Sequence, residues 1–140
     1  MLKRSKFNLG HYKLLTCKMG QLVPVTWFEA LPGDTIQMAT SALVRCAPLV
    51  TPVMHPVQVR FHHFFVPNRI IWANWQNFIT GGSDGNDATQ HPFVQMSTPA
   101  ASSLADYLGI TSNWNAAYNG TNVSALPFRA YGLIFNERVS

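Results

Sequence analysis

Five histidines, six carboxylates and two cysteines are the side chains with which this 140-residue chain could do metal, acid–base or nucleophilic chemistry. Their spacing argues against all three. His62-His63 is the first metal candidate. The pair lies in an alternating stretch, and neighbours on a strand point to opposite faces, so the two rings cannot share one ion. His55 lies beyond Pro56, with no Cys or carboxylate near to complete a ligand set. His63 falls on the apolar face with Phe61 and Phe65, where a core or interface histidine with one satisfied hydrogen bond is expected.

The carboxylates are Glu29, Asp34, Asp84, Asp87, Asp106 and Glu137. A turn explains Asp34, a helix cap explains Asp106, and a polar loop explains Asp84 and Asp87. Glu29 beside Trp27 is a lone carboxylate and makes no acid–base pair. Cys17 and Cys46 are too few and too far apart for a disulfide framework or a Cys-x-x-Cys site, and reduced thiols are expected. No G-x-S-x-G, Walker or G-x-G-x-x-G pattern occurs. No catalytic, cofactor-binding or metal-ligating residue is therefore assigned, and no cofactor is expected.

Aromatic and basic residues carry more information. Trp27, Trp72, Trp75 and Trp114 stand beside nine Phe. Trp72 and Trp75 share one helical face, with Phe78 close by. Such a face packs against protein, so Trp72, Trp75 and Phe78 are candidates for subunit packing. Stacking on nucleic-acid bases is the other reading. Lys3, Arg4, Lys6, Lys13 and Lys18 lie in the first twenty residues, with no acidic residue among them. They are candidate contacts for DNA phosphates, or else a solvated terminus. Arg45 and Arg60 sit on the wet faces of two strands.

The elements follow from periodicity. Residues 1–20 form a basic arm anchored by a few apolar side chains. Residues 21–67 read as three strands. Leu22 to Leu31 is irregular at Pro24. Leu31-Pro32-Gly33-Asp34 is a turn. Thr35 to Cys46 puts Ile36, Met38, Ala42, Val44 and Cys46 on one face. Val57 to Val66 puts Val57, Val59, Phe61 and Phe65 together. Strands with only turns between them predict an antiparallel architecture. At Pro67-Asn68 the rhythm becomes helical: one helix is expected from near Arg69, capped by Asn68 and stopped by Gly81-Gly82.

Residues 83–98 read as a loop. Ser103 to Leu108 reads as a short helix with a Ser103/Asp106 capping box and a Gly109 stop. Thr111 to Thr121 reads as a second exposed loop. Ser124 to Glu137 reads as a last helix, with Pro127 in its first turn and Phe128, Tyr131 and Phe135 on one face. Residues 68–140 thus form a helix- and loop-rich region.

The charged fraction is 11%, against about 25% in an average soluble domain. The hydrophobic fraction is 47% and the aromatic fraction 12%. Such a surface suits a subunit covered by neighbours. No apolar run approaches the ~18 residues of a membrane span. The basic start is not followed by an apolar core, so no secretory signal is expected. The glycosylation patterns at Asn119 and Asn122 are then empty.

Four segments in order carry a resemblance: HYKLLTCKMGQLVPVTWFEALPGDT (11–35), HPVQVRFHHFFVPNRIIWANWQNFITGG (55–82), SLADYLGI (103–110) and LPFRAYGLIFNE (126–137). Together they resemble the N-terminal part of the major capsid protein of the Microviridae, small icosahedral single-stranded DNA phages, and of the gokushovirus branch in particular. The resemblance implies a mainly β fold with helical insertions, a viral β jelly roll of which this chain holds the first strands. It implies a structural, non-enzymatic subunit that assembles with other copies of itself around a single-stranded DNA genome. The subunit would be made in a bacterial cytoplasm and would reside in the virion, without a membrane. The basic arm would face the DNA.

Family chains are several times longer and continue past the final Asn-Glu, where this chain has Arg138-Val139-Ser140. A jelly roll takes eight strands, and three are read here. A fragment or truncated frame is therefore expected, marginal or aggregation-prone alone, with unpaired edges and an uncovered apolar face. The alternative function is a single-stranded nucleic-acid binding module that uses the arm and the tryptophans.

Overall fold

The computed structural model describes residues 3–110 and 120–139. The chain divides into two units, one made of Met1–Trp27 with Val66–Ser140 and the other of Phe28–Phe65. The elements all lie in the first unit. They are α1 (Asn68–Ile71), α2 (Trp75–Thr80), β1 (Phe93–Gln95), α3 (Leu104–Tyr107), β2 (Asn122–Ser124) and α4 (Leu126–Val139).

The expected single helix after Pro67 is two helices. Asn68 is the first helical residue rather than the cap; Pro67 holds the cap position, without a side-chain hydrogen bond. Trp72 then leaves helical geometry at φ −149° and ψ 108°, and a turn bond from Trp75 N to Trp72 O restarts the coil. Burial explains the break. Trp72 is 8% exposed, and an aromatic ring removes about 150–250 Å² from water. At about 25 cal/mol per Å² that outweighs the one or two backbone bonds, each about 1 kcal/mol net, that an interrupted helix gives up. The glycine stop holds: Gly81 closes α2 in the left-handed region, at φ 78°.

Helix α3 starts as its capping residues predict. Asp106 N donates to Ser103 Oγ at 3.4 Å. The return arm of the box reaches one residue further back, where Ser102 N donates to Asp106 Oδ2 at 2.9 Å. Ser102 takes a positive φ of 61° to allow it. Helix α4 begins after Ser124, whose Oγ accepts from Leu126 N at 3.3 Å, and Pro127 sits in its first turn, where no amide is needed. Arg129 Nη1 donates to Ile71 O at 3.3 Å and ties α4 to the end of α1.

β1 and β2 pair antiparallel, with Phe93 opposite Ser124, Val94 opposite Val123 and Gln95 opposite Asn122. Backbone bonds from Met96 N to Thr121 O, Gly120 N to Met96 O and Ala125 N to Pro92 O extend the pairing at both ends. The expected loop over 83–98 therefore contains a strand. Its alternation is short but present: Val94 and Met96 turn inward, Phe93 and Gln95 outward. The loop expected over 111–121, with Trp114, lies outside the described residues except at Gly120 and Thr121. The core of this unit is Trp72, Met96, Tyr107, Leu108, Ala125 and Leu126.

Phe28–Phe65 differs most from the sequence reading. Its turn forms as expected: Asp34 N donates to Leu31 O at 3.1 Å, Leu31 N donates to Asp34 Oδ2 at 3.1 Å, and Gly33 has φ 85°. Yet the three strands expected over 22–31, 35–46 and 57–66 form no ladder, and every residue from 28 to 65 is exposed. A strand is held by the backbone beside it, and here no such backbone is paired among the described residues. In place of a mainly β chain, the described residues form short helices and one two-stranded antiparallel sheet.

Candidate functional site

The basic arm runs along the helical unit and is fastened to it by side chains that reach backbone carbonyls. At the end of α3, Lys13 Nζ donates to Tyr107 O. Tyr107 Oη donates to Thr16 O at 2.7 Å, and Trp27 Nε1 donates to Leu108 O at 3.0 Å. From α4, Tyr131 Oη donates to Leu22 O at 2.8 Å. Each of these bonds satisfies a carbonyl that an arm or helix end would otherwise leave open. Nearer the start, Asn8 Oδ1 accepts from Gly10 N at 2.8 Å, and the His11 ring lies 2.8 Å from Leu9 O and 2.8 Å from Thr26 Oγ1.

The clasp separates the five basic candidates. Lys3, Arg4, Lys6 and Lys18 are exposed, whereas Lys13 is half-buried on Tyr107. Burial lowers its pKa from the ordinary lysine value, and the Asp106 carboxylate opposes that shift in part. Lys13 is spent inside the unit, and the outward charge rests on the other four.

Trp72, Trp75 and Phe78 do come together. Trp72 meets Trp75 edge-on at 5.9 Å between centroids and Phe78 at 5.1 Å. The sequence reading missed His91, whose ring stands edge-on to Trp72 at 5.6 Å and to Phe78 at 5.7 Å. Trp72 is buried within this cluster, Trp75 half-buried and Phe78 exposed. Tyr107 was also missed as a site residue. Its one signal is its type, an apolar body with a polar tip that seeks a partner when buried.

The remaining chemistry-bearing residues stay scattered. His63 is exposed rather than in a core, and its Nε2 lies 3.4 Å from Thr40 Oγ1, the single hydrogen bond expected of it. His62 stacks on Phe64 at 6.1 Å. Asp87 accepts from the hydroxyl and the amide of Thr89, which together hold its carboxyl below the ordinary value. Cys17 and Cys46 are free and exposed. Among the described residues no group of three or more His, Cys, Asp or Glu is placed to hold a metal ion, and no helix is long and apolar enough to cross a membrane.

The exposed apolar surface is extensive. Within Phe28–Phe65 it includes Leu31, Leu43, Val50, Met54 and Phe65, and on the arm Phe7, Tyr12 and Leu14.

Comparison with known proteins gives this surface a context. The family model described as Capsid protein (F protein) matches residues 1–138. Capsid protein VP1 of Chlamydia phage 1 is 39% identical over 97% of this chain and 24% of its own length. Capsid protein VP1 of Bdellovibrio phage phiMH2K is 38% identical over 96% and 25%, and that of Spiroplasma virus 4 is 30% identical over 97% and 25%. The chain thus spans about a quarter of the length of the curated relatives it matches. No solved structure matches it. With the family model running over nearly the whole sequence, this chain belongs to the Capsid protein (F protein) family of the Microviridae.

Proposed function

We propose that this chain is part of the structural subunit of a small icosahedral phage shell, one that assembles with other copies of itself around single-stranded DNA. The observation that carries this reading is the segment Phe28–Phe65. It is apolar, alternating in sequence and exposed at every residue. Soluble monomers rarely leave apolar patches beyond a few hundred Å² uncovered. A shell subunit covers such a surface on assembly.

In this reading residues 21–67 supply the first strands of an antiparallel jelly roll, and their ladders form when neighbouring strands are brought beside them. Residues 68–140 form the helical insertion, and the exposed cations of the arm face the genome. The chain has no catalytic role. It is made in the bacterial cytoplasm and ends in the virion.

Sedimentation velocity of the purified chain over a range of concentrations tests the assembly. The expected result is association into species larger than a monomer, lost when Val57, Val59 and Phe61 are replaced together by Ser. A monomer at every concentration, with tight and steeply salt-dependent binding of single strands, would instead describe a nucleic-acid binding module.

A further inference from the structure

We infer that the outer face of the arm is a single-strand stacking platform, on which Phe7 and Tyr12 take bases while Lys3, Arg4 and Lys6 take the phosphates. The inference rests on the reading that the arm meets single-stranded DNA, and it goes further by naming how the bases are held.

Three observations carry it. The first is the direction of the side chains. Lys13 and Leu15 turn toward the helical unit, where Lys13 is bonded to Tyr107 O and the backbone at Thr16 is held by Tyr107 Oη. The alternating residues Tyr12 and Leu14 are thereby turned outward, 89% and 88% exposed, and Phe7 is 85% exposed. An extended backbone puts successive side chains on opposite faces, so fastening Lys13 and Leu15 presents Tyr12 and Leu14. Phe7 lies beyond the Asn8–Gly10 hydrogen bond and is placed in solvent by its own exposure.

The second observation is charge. The arm carries only cations: Lys3, Arg4 and Lys6 are exposed and lie just before Phe7, and Glu29 is the first acidic residue in the sequence. An apolar face meant for protein gains nothing from such a one-sided field, whereas a polyanion does. Exposed cations beside exposed aromatic rings are what a single strand requires, because every base has a π-face and every linkage has a charge.

The third is that the tryptophans among the described residues are otherwise engaged. Trp72 is buried, and its ring meets Trp75, Phe78 and His91. Trp27 donates its indole N–H to Leu108 O. Among the described residues the most exposed aromatic rings are Tyr12 at 89% and Phe7 at 85%, both on the arm.

The test measures binding of the full chain to an oligothymidylate and to an abasic deoxyribose-phosphate oligomer of equal length. The two have the same charge, and only one has bases. The wild-type chain should bind the oligothymidylate more tightly. The double variant Phe7→Leu, Tyr12→Leu should weaken that binding by about tenfold or more per ring. It should leave abasic affinity unchanged, and also the slope of affinity against salt, because no phosphate contact is removed. Replacing Lys3, Arg4 and Lys6 by Gln should flatten the slope for both oligomers.

Equal affinity of the wild type for the two oligomers, or an unaltered preference in the double variant, overturns the platform and leaves DNA contact standing. Binding to neither oligomer at low salt defeats the DNA reading itself. Loss of self-association in the double variant with DNA affinity intact assigns the rings to a protein contact and also overturns the platform. All five side chains are exposed, so an unchanged circular dichroism spectrum certifies that the variants fold.

Discussion

Tyr107 works at both ends of its side chain and main chain. Its ring is buried in the core, its hydroxyl holds Thr16 O, and its own carbonyl takes Lys13 Nζ. Lys13 is part of this arrangement at a cost, since burial disfavours its charge. The sign of the pH effect follows. With its folded pKa below the ordinary value, Lys13 binds fewer protons in the folded chain than in the unfolded one. Its contribution to stability therefore rises as pH climbs toward the ordinary lysine value of 10.5. Denaturant titrations of wild type and Lys13→Met at neutral and at alkaline pH should show the wild type gaining on the variant as pH increases. A difference that stays constant would mean that Lys13 is solvated like its neighbours on the arm.

Among the elements, α4 is the longest, and it is tied through Arg129 to α1 and through Tyr131 to Leu22. Gly132 sits in its interior, and a Cβ added there meets nothing within 4 Å. Gly132→Ala should therefore stabilise the chain by about 0.5–1 kcal/mol, from the smaller backbone entropy lost on folding. A higher thermal midpoint with unchanged association would bear this out, and a lower one would mean that another chain packs closely on that glycine.

Elements defined by local chemistry were legible in the sequence. The Ser103/Asp106 cap, the Pro127 start, the Leu31–Asp34 turn and the Gly81 stop all act through neighbours a few residues away. Elements defined by distant partners were not. The break at Trp72 follows from a cluster that includes His91, and the β1 and β2 strands are three residues each, too short for alternation to stand out. For the same reason the arm's cations were legible as a group, but not that Lys13 leaves it, because its partner lies 94 residues away.

At the scale of the whole molecule the two units differ in kind. One has a small core and hydrogen bonds that span most of the chain's length. The other, Phe28–Phe65, has side chains arranged for a sheet and no sheet. Exposure throughout that segment predicts its order of digestion. Arg45 and Arg60 are exposed within it, whereas Arg129 lies in the first turn of α4. Limited trypsin treatment should cut after Arg45 and Arg60 before it cuts after Arg129. The reverse order would mean that the segment is covered in solution. Assembly into a shell should suppress the early cuts.

The aromatic cluster has an optical consequence. Trp72 and Trp75 stand 5.9 Å apart with their planes inclined at 61°, close enough and skewed enough for their excited states to mix. Their ultraviolet transitions split into a pair of bands of opposite sign, superposed on the backbone's circular dichroism. Three of the four described helices are six residues long or shorter, so that couplet is visible beside the helical signal. Helix content read from ellipticity alone will therefore be in error. The couplet itself becomes a private reporter of whether the turn between α1 and α2 is closed.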